Sequence, residues 1–168
     1  MALSEKIEKM FNEQINKEFY SAYLYLAMAS YFEEQNLPGF ANWMRIQFQE
    51  EEAHAFKFFD YLVERSGHIE LEKIEKPKIT WKNPLDAFND VYAHEQFISK
   101  SINEIFKVAR EENDYPTETF IHWFIMEQVE EEKNAKEILD RLSMIKDNIQ
   151  PLFMLDSELA KRVFTPPV

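Results

Sequence analysis

The chain has 168 residues, with 31 Asp and Glu against 19 Lys and Arg, a formal net charge of −12. It has no cysteine, which excludes disulfides, thiolate metal sites, iron–sulfur clusters and cysteine nucleophiles; its charge would repel a phosphate backbone and attract cations, so no nucleic-acid partner is expected. No run reaches the ~20 apolar residues of a membrane span, and Met1 to Lys6 lacks the layout of a signal peptide, so the expectation is one domain over residues 1–168, off the membrane and cytoplasmic.

Two glycines and seven prolines punctuate the chain and leave four long stretches without either, 1–37, 40–66, 85–115 and 117–150. Strand proteins need a turn about every 8–12 residues, so an all-α class is predicted. The first helix is expected over about residues 4–34, capped by Ser4. The second runs over about 38–66, opened by Pro38 and stopped by Gly67. Asn83-Pro84 opens a third over about 84–112, and Asp114-Tyr115-Pro116 a fourth over about 115–145. A short fifth helix follows Pro151, over about 151–162, and ends before Thr165-Pro166-Pro167.

The first and third joints are short, so each should close an antiparallel hairpin. The segment from His68 to Asn83 is much longer. Extended, it spans roughly 50 Å, against about 42 Å for a 28-residue helix. It can therefore run the length of the bundle and set the second and third helices parallel. The predicted fold is a four-helix bundle of two antiparallel hairpins joined by one long crossover, plus a short C-terminal helix.

Alternating steps of three and four residues define an inward stripe on each helix. On the first helix it runs through Phe11, Ile15, Glu18, Ala22 and Tyr25; on the second, Phe40, Met44, Gln47, Glu51, His54, Phe58 and Tyr61. On the third it runs through Phe88, Tyr92, Glu95, Ser99, Ile102, Phe106 and Ala109; on the fourth, Ile121, Phe124, Gln128, Glu131, Ala135 and Ile138. Each stripe is apolar except near its middle. Glu18, Glu51, His54, Glu95, Gln128 and Glu131 should meet in one layer. The halves also repeat: one offset of 77 residues carries Glu18 onto Glu95, Glu50 onto Glu127, Glu51 onto Gln128 and His54 onto Glu131.

A buried, unpaired carboxylate costs several kcal/mol or takes up a proton. Four in one layer, with no Lys or Arg on any stripe, call for a cation. Carboxylate and amide oxygens with one imidazole suit iron or manganese, with zinc as a further option. Glu51 and His54, three residues apart, share a helix face and can hold the same ion.

These residues lie in segments that resemble the prokaryotic non-haem ferritins along nearly the whole chain. The segments are Gln14 to Tyr25, Gln49 to His54, Tyr92 to Glu95 and Glu127 to Glu132. The resemblance implies a dinuclear iron ferroxidase centre in a ferritin-like bundle. Glu18, Glu51 and His54 would hold the first iron, with Glu51 bridging; Glu95, Glu131 and Gln128 would hold the second. Glu50, Glu127 and Glu130 match a third, outer iron site that shares Glu131, and Tyr25 and Trp123 match aromatics beside the centre. It further implies that Fe(II) is oxidised by O2 or H2O2 and stored as Fe(III) mineral in a hollow homo-oligomeric shell, usually of twenty-four subunits.

The departures narrow the subfamily. Haem-binding relatives carry a second Glu-x-x-His, where this chain has Gln128-Val129-Glu130-Glu131, and their axial methionine falls at Glu52; haem is not expected. Two other functions fit the same layer: a di-iron peroxidase or oxygenase without a shell, and a storage cage with little activity of its own. Glu118 falls where channels of the family admit iron. His68, His94 and His122 lie off the stripes and read as structural or surface residues, and the acidic runs around Glu50 and Glu130 also suit a solvated face.

Overall fold

The computed structural model describes residues 3–166; Met1, Ala2, Pro167 and Val168, with the readings that fell on them, lie outside the described residues. Among these the secondary structure is five helices: α1 (Glu5–Glu34), α2 (Pro38–Glu64), α3 (Pro84–Glu111), α4 (Tyr115–Ile145) and α5 (Ile149–Leu159). No described helix is long and apolar enough to cross a membrane.

The helix starts follow their capping chemistry. The Ser4, Asn83 and Asp114 side chains accept from the backbone N–H of Ile7, Asp86 and Thr117, satisfying donors the first turn leaves unpaired. Helix α5 begins two residues before the predicted Pro151, because Asn148 caps it and a proline in the first turn has no N–H to lose. It ends at Leu159, short of the predicted 162. The stop after α2 also differs in mechanism. Ser66 takes the left-handed conformation (φ 59°), while the Gly67 N–H bonds the Leu62 carbonyl at 2.8 Å. Glycine serves there as room: a Cβ at Gly67 would stand 2.5 Å from Leu62 Cδ1. Asn36 and Asn113 end α1 and α3 through the same wrapped-back geometry.

The crossover runs along α1 as predicted. Asn12 Nδ2 donates to the His68 carbonyl, Asn16 Nδ2 to those of Glu72 and Lys73, and Trp81 packs edge-on against Tyr31 with ring centres 5.4 Å apart. The chain thus travels from the start of α1 to its end before α3 begins, which makes α2 and α3 parallel. Helix α1 also buries Gln14, Ser21 and Leu24, outside the predicted stripe; Gln14 meets Ser101 and Ser21 meets His94, both on α3.

On α3 the heptad positions Phe88, Glu95, Ile102 and Ala109 face inward as expected, but their partners are Val91, Ile98 and Ile105 rather than Tyr92, Ser99 and Phe106. Steps of three and of four are equivalent on an isolated helix; the packing of α4 and α1 selects the β-branched side. The core divides into two apolar clusters, one around Phe32, Phe40, Met44 and Phe88, the other around Phe11, Phe58, Ile102 and Phe124. The polar layer lies between them. Helices α2 and α4 meet through side chains alone.

Candidate metal centre

Four helices supply the layer. Glu18 comes from α1, Glu51 and His54 from α2, Glu95 from α3, and Gln128 and Glu131 from α4; none of the six is more than 5% exposed. Glu18, Glu51 and His54 each place a ligand atom so that all three atoms lie within 4.8 Å of one another, the spread one metal ion can bridge. His54 Nδ1 stands 3.4 Å from Glu51 Oε2. On the other side Gln128 Nε2 donates to Glu95 Oε2 at 3.2 Å, and the Tyr25 hydroxyl donates to Glu95 Oε1.

The carboxylates are held by neutral donors that the sequence reading passed over. Gln14 Nε2 donates to Glu18 Oε1 at 2.7 Å, and the Gln14 carbonyl accepts from Ser101 Oγ at 2.6 Å, which in turn accepts from Lys17 Nζ at 2.8 Å. Gln47 Nε2, on the predicted stripe but unassigned, donates to Glu131 Oε2 at 2.9 Å. A signal was present: α1 and α2 each carry a glutamine four residues before their inward glutamate, Gln14/Glu18 and Gln47/Glu51.

The electrostatics are those of a site short of positive charge. Burial, reinforced by the charges of Glu95 and Glu50, raises the Glu131 carboxyl to about 8. Burial raises Glu95 to about 6 against the opposing bonds from Tyr25 and Gln128. Glu51 is also pushed well above the usual carboxylate range by burial, partly offset by His54. Burial disfavours a charged His54, but contacts with Glu127 and Glu51 outweigh it and hold the imidazole well above its ordinary value. Glu18 Oε2 and His54 Nε2 are buried with no hydrogen-bond partner. Buried polar atoms of this kind are normally satisfied; a cation bound by Glu18, Glu51 and His54 would give the Glu18 carboxylate the positive partner it lacks, so the donor set fits a divalent metal.

The residues matched to an outer site are spread around this layer. Glu127 Oε1 is 3.8 Å from His54 Nε2, too long for a hydrogen bond. Glu50 is bonded to Arg162 at 2.6 Å. Glu130 lies on the exposed face of α4. Trp123 packs 5.7 Å from the His54 ring, with Lys57 Nζ 4.4 Å over its own ring. Glu118 lines an open surface cavity of about 720 Å³ with Arg110, Tyr115 and His122. His94 packs between α1 and α3 with Nε2 2.7 Å from Ser21 Oγ, and burial lowers it to about 4. His68 and His122 are exposed.

The fold and layer are those of a helical bundle with a buried, carboxylate-rich centre suited to a divalent metal. A model of the ferritin-like domain matches residues 8–145. A bacterial non-heme ferritin of Bacteroides fragilis (strain 638R) is 39% identical over 160 residues, covering 95% of this chain and 99% of that protein. Another from Campylobacter jejuni is 40% identical over 154 residues, 92% of each. The Archaeoglobus fulgidus ferritin engineered to a closed form superposes with a TM-score of 0.96 at 48% identity, covering 98% of this chain and 100% of that one. The chain belongs to the ferritin family.

Proposed function

We propose that the protein stores iron, and that its buried polar layer is a dinuclear ferroxidase centre. The observation that carries this is the convergence of Glu18, Glu51 and His54 within 4.8 Å inside a layer that also holds Glu95, Gln128 and Glu131. Glu18, Glu51 and His54 take the first Fe(II); Glu95, Glu131 and the Gln128 amide oxygen take the second, with Glu51 between them. Gln128 turns its Nε2 toward Glu95, and a half-turn of the amide presents its oxygen to a cation. Each Fe(II) gives up one electron, and O2 or H2O2 accepts the pair. Glu50, Glu127 and Glu130 form an outer iron site reached from the solvent side of α4. No haem is needed.

The chain's own groups divide the work. Gln14 and Gln47 orient Glu18 and Glu131, as outer partners commonly orient metal ligands. Tyr25, bonded to Glu95 and packed on Trp43, can pass a proton or an electron at the edge of the second site. The apolar layers above and below keep water from the carboxylates, which strengthens their hold on a cation.

The protein assembles into a closed homo-oligomer of twenty-four subunits in this reading; exposed apolar residues such as Tyr23 and Leu26 on α1 and Ile79 on the crossover support association between chains. The location is cytoplasmic. An anaerobic Fe(II) titration followed by an oxygen pulse, with native mass measurement, tests the reading. Two tight Fe(II) per subunit, fast oxidation and a shell mass support it; a small oligomer with peroxide-dependent turnover would favour a peroxidase instead.

A further inference from the structure

The segment after α5 returns across α2 beside the metal layer. Asn42 Nδ2 donates to the backbone carbonyls of Leu159 at 3.2 Å and Arg162 at 3.0 Å, which pins the chain there. Arg162 Nη2 then donates to Glu50 Oε2 at 2.6 Å, and its guanidinium carbon lies 4.8 Å from the centre of the Trp43 ring. Its Nη1 is buried with no hydrogen-bond partner. Backbone anchor, aromatic face and carboxylate together hold one positive charge at the rim of the centre. Glu50 is coupled by charge to His54 and Glu127, and it acts on Glu131, so the pair sits where an outer cation would bind.

We propose that Arg162 sets the affinity of the outer cation site: its guanidinium occupies Glu50 as an internal counter-cation, and a third divalent cation gains Glu50 only by displacing it. This rests on reading Glu50 as an outer-site ligand. A guanidinium and a metal ion compete for the same carboxylate. The displaced side chain loses the Trp43 face as well as the ion pair, so the outer site fills after the first two and more weakly. Arg162 is a positioning residue in this scheme; it touches neither member of the dinuclear pair.

Zinc(II), which undergoes no redox step, is titrated into the assembled wild-type protein and into Arg162→Gln, Arg162→Lys and Asn42→Ala, with calorimetry for affinity and native mass spectrometry to count ions. Arg162→Gln should bind the third ion more tightly, by up to about fivefold, the scale of losing one partly exposed ion pair. Asn42→Ala, which frees the segment, should shift affinity the same way, and Arg162→Lys should stay near wild type. Adding Glu50→Ala to Arg162→Gln should erase the gain. No gain in Arg162→Gln, or a gain that survives Glu50→Ala, overturns the inference. Two bound ions with no third in any variant overturns it together with the outer-site reading and leaves the dinuclear reading standing; fewer than two overturns that reading too.

Discussion

Gln47 on α2 donates its amide N–H to Glu131 on α4 at 2.9 Å, joining two helices that meet through side chains alone. The bond holds Glu131 at the centre of the layer while its own carbonyl, Oε1, stays buried without a partner. Replacing Gln47 with leucine keeps the volume and removes the donor. Second-cation affinity should fall about ten- to a hundredfold with the first site retained, the scale of one hydrogen bond to a charged group. An anaerobic titration resolving the two equivalents checks it; equal losses at both sites would make Gln47 a packing residue only.

The carboxyls of Glu131 and Glu95, raised to about 8 and about 6, give the metal-free protein a defined pH response. A group whose folded value lies above its unfolded value contributes stability below the unfolded value and loses it as pH rises through the folded one. The metal-free protein should therefore lose thermal stability between about pH 4.5 and 8. A bound divalent cation replaces the protons, so its stabilising effect should grow over the same window. Thermal unfolding with and without zinc(II) at several pH values tests both signs; stabilisation that shrinks toward pH 8 would contradict the scheme.

Glu131→Gln should act oppositely with and without metal. Without it, one crowded carboxylate is gone and the melting temperature should rise, by a few degrees for ~1 kcal/mol. With metal, the second site should be lost and oxidation should slow. A lower melting temperature in the metal-free variant would show that Glu131 is satisfied by bonds rather than waiting for a cation.

Glu18→Ala and His54→Ala should each abolish rapid Fe(II) oxidation with the shell still assembled, because both belong to the tight donor cluster and neither lies on the outer surface. Stopped-flow oxidation and native mass measure the two properties separately. Wild-type rates in both variants would remove the layer from the reaction.

Gly39 has a structural prediction of its own. A Cβ there would stand 1.7 Å from the backbone oxygen of Asp156, whose side chain accepts from the Phe40 N–H at 3.0 Å. Gly39→Ala should push α5 off α2 and cost about 1–3 kcal/mol. Limited proteolysis should then cut near α5 first; an unaltered cleavage pattern would place the strain elsewhere.

Helix number, the parallel setting of α2 and α3, and the six residues of the layer were all legible in the sequence. Scarce glycine and proline mark the helices, the crossover is long enough to span one, and ionisable groups interrupting an apolar stripe stand out because burying them is costly. Periodicity could not choose between Val91 and Tyr92, or Ile98 and Ser99, since a helix in isolation treats steps of three and four alike; contact with α1 and α4 made that choice. Nor could it find Gln14 or Arg162. Their partners are set by how α1 meets α3 and how the chain after α5 returns over Trp43, and side chains 112 residues apart, such as Arg162 and Glu50, become neighbours only when the tertiary fold closes.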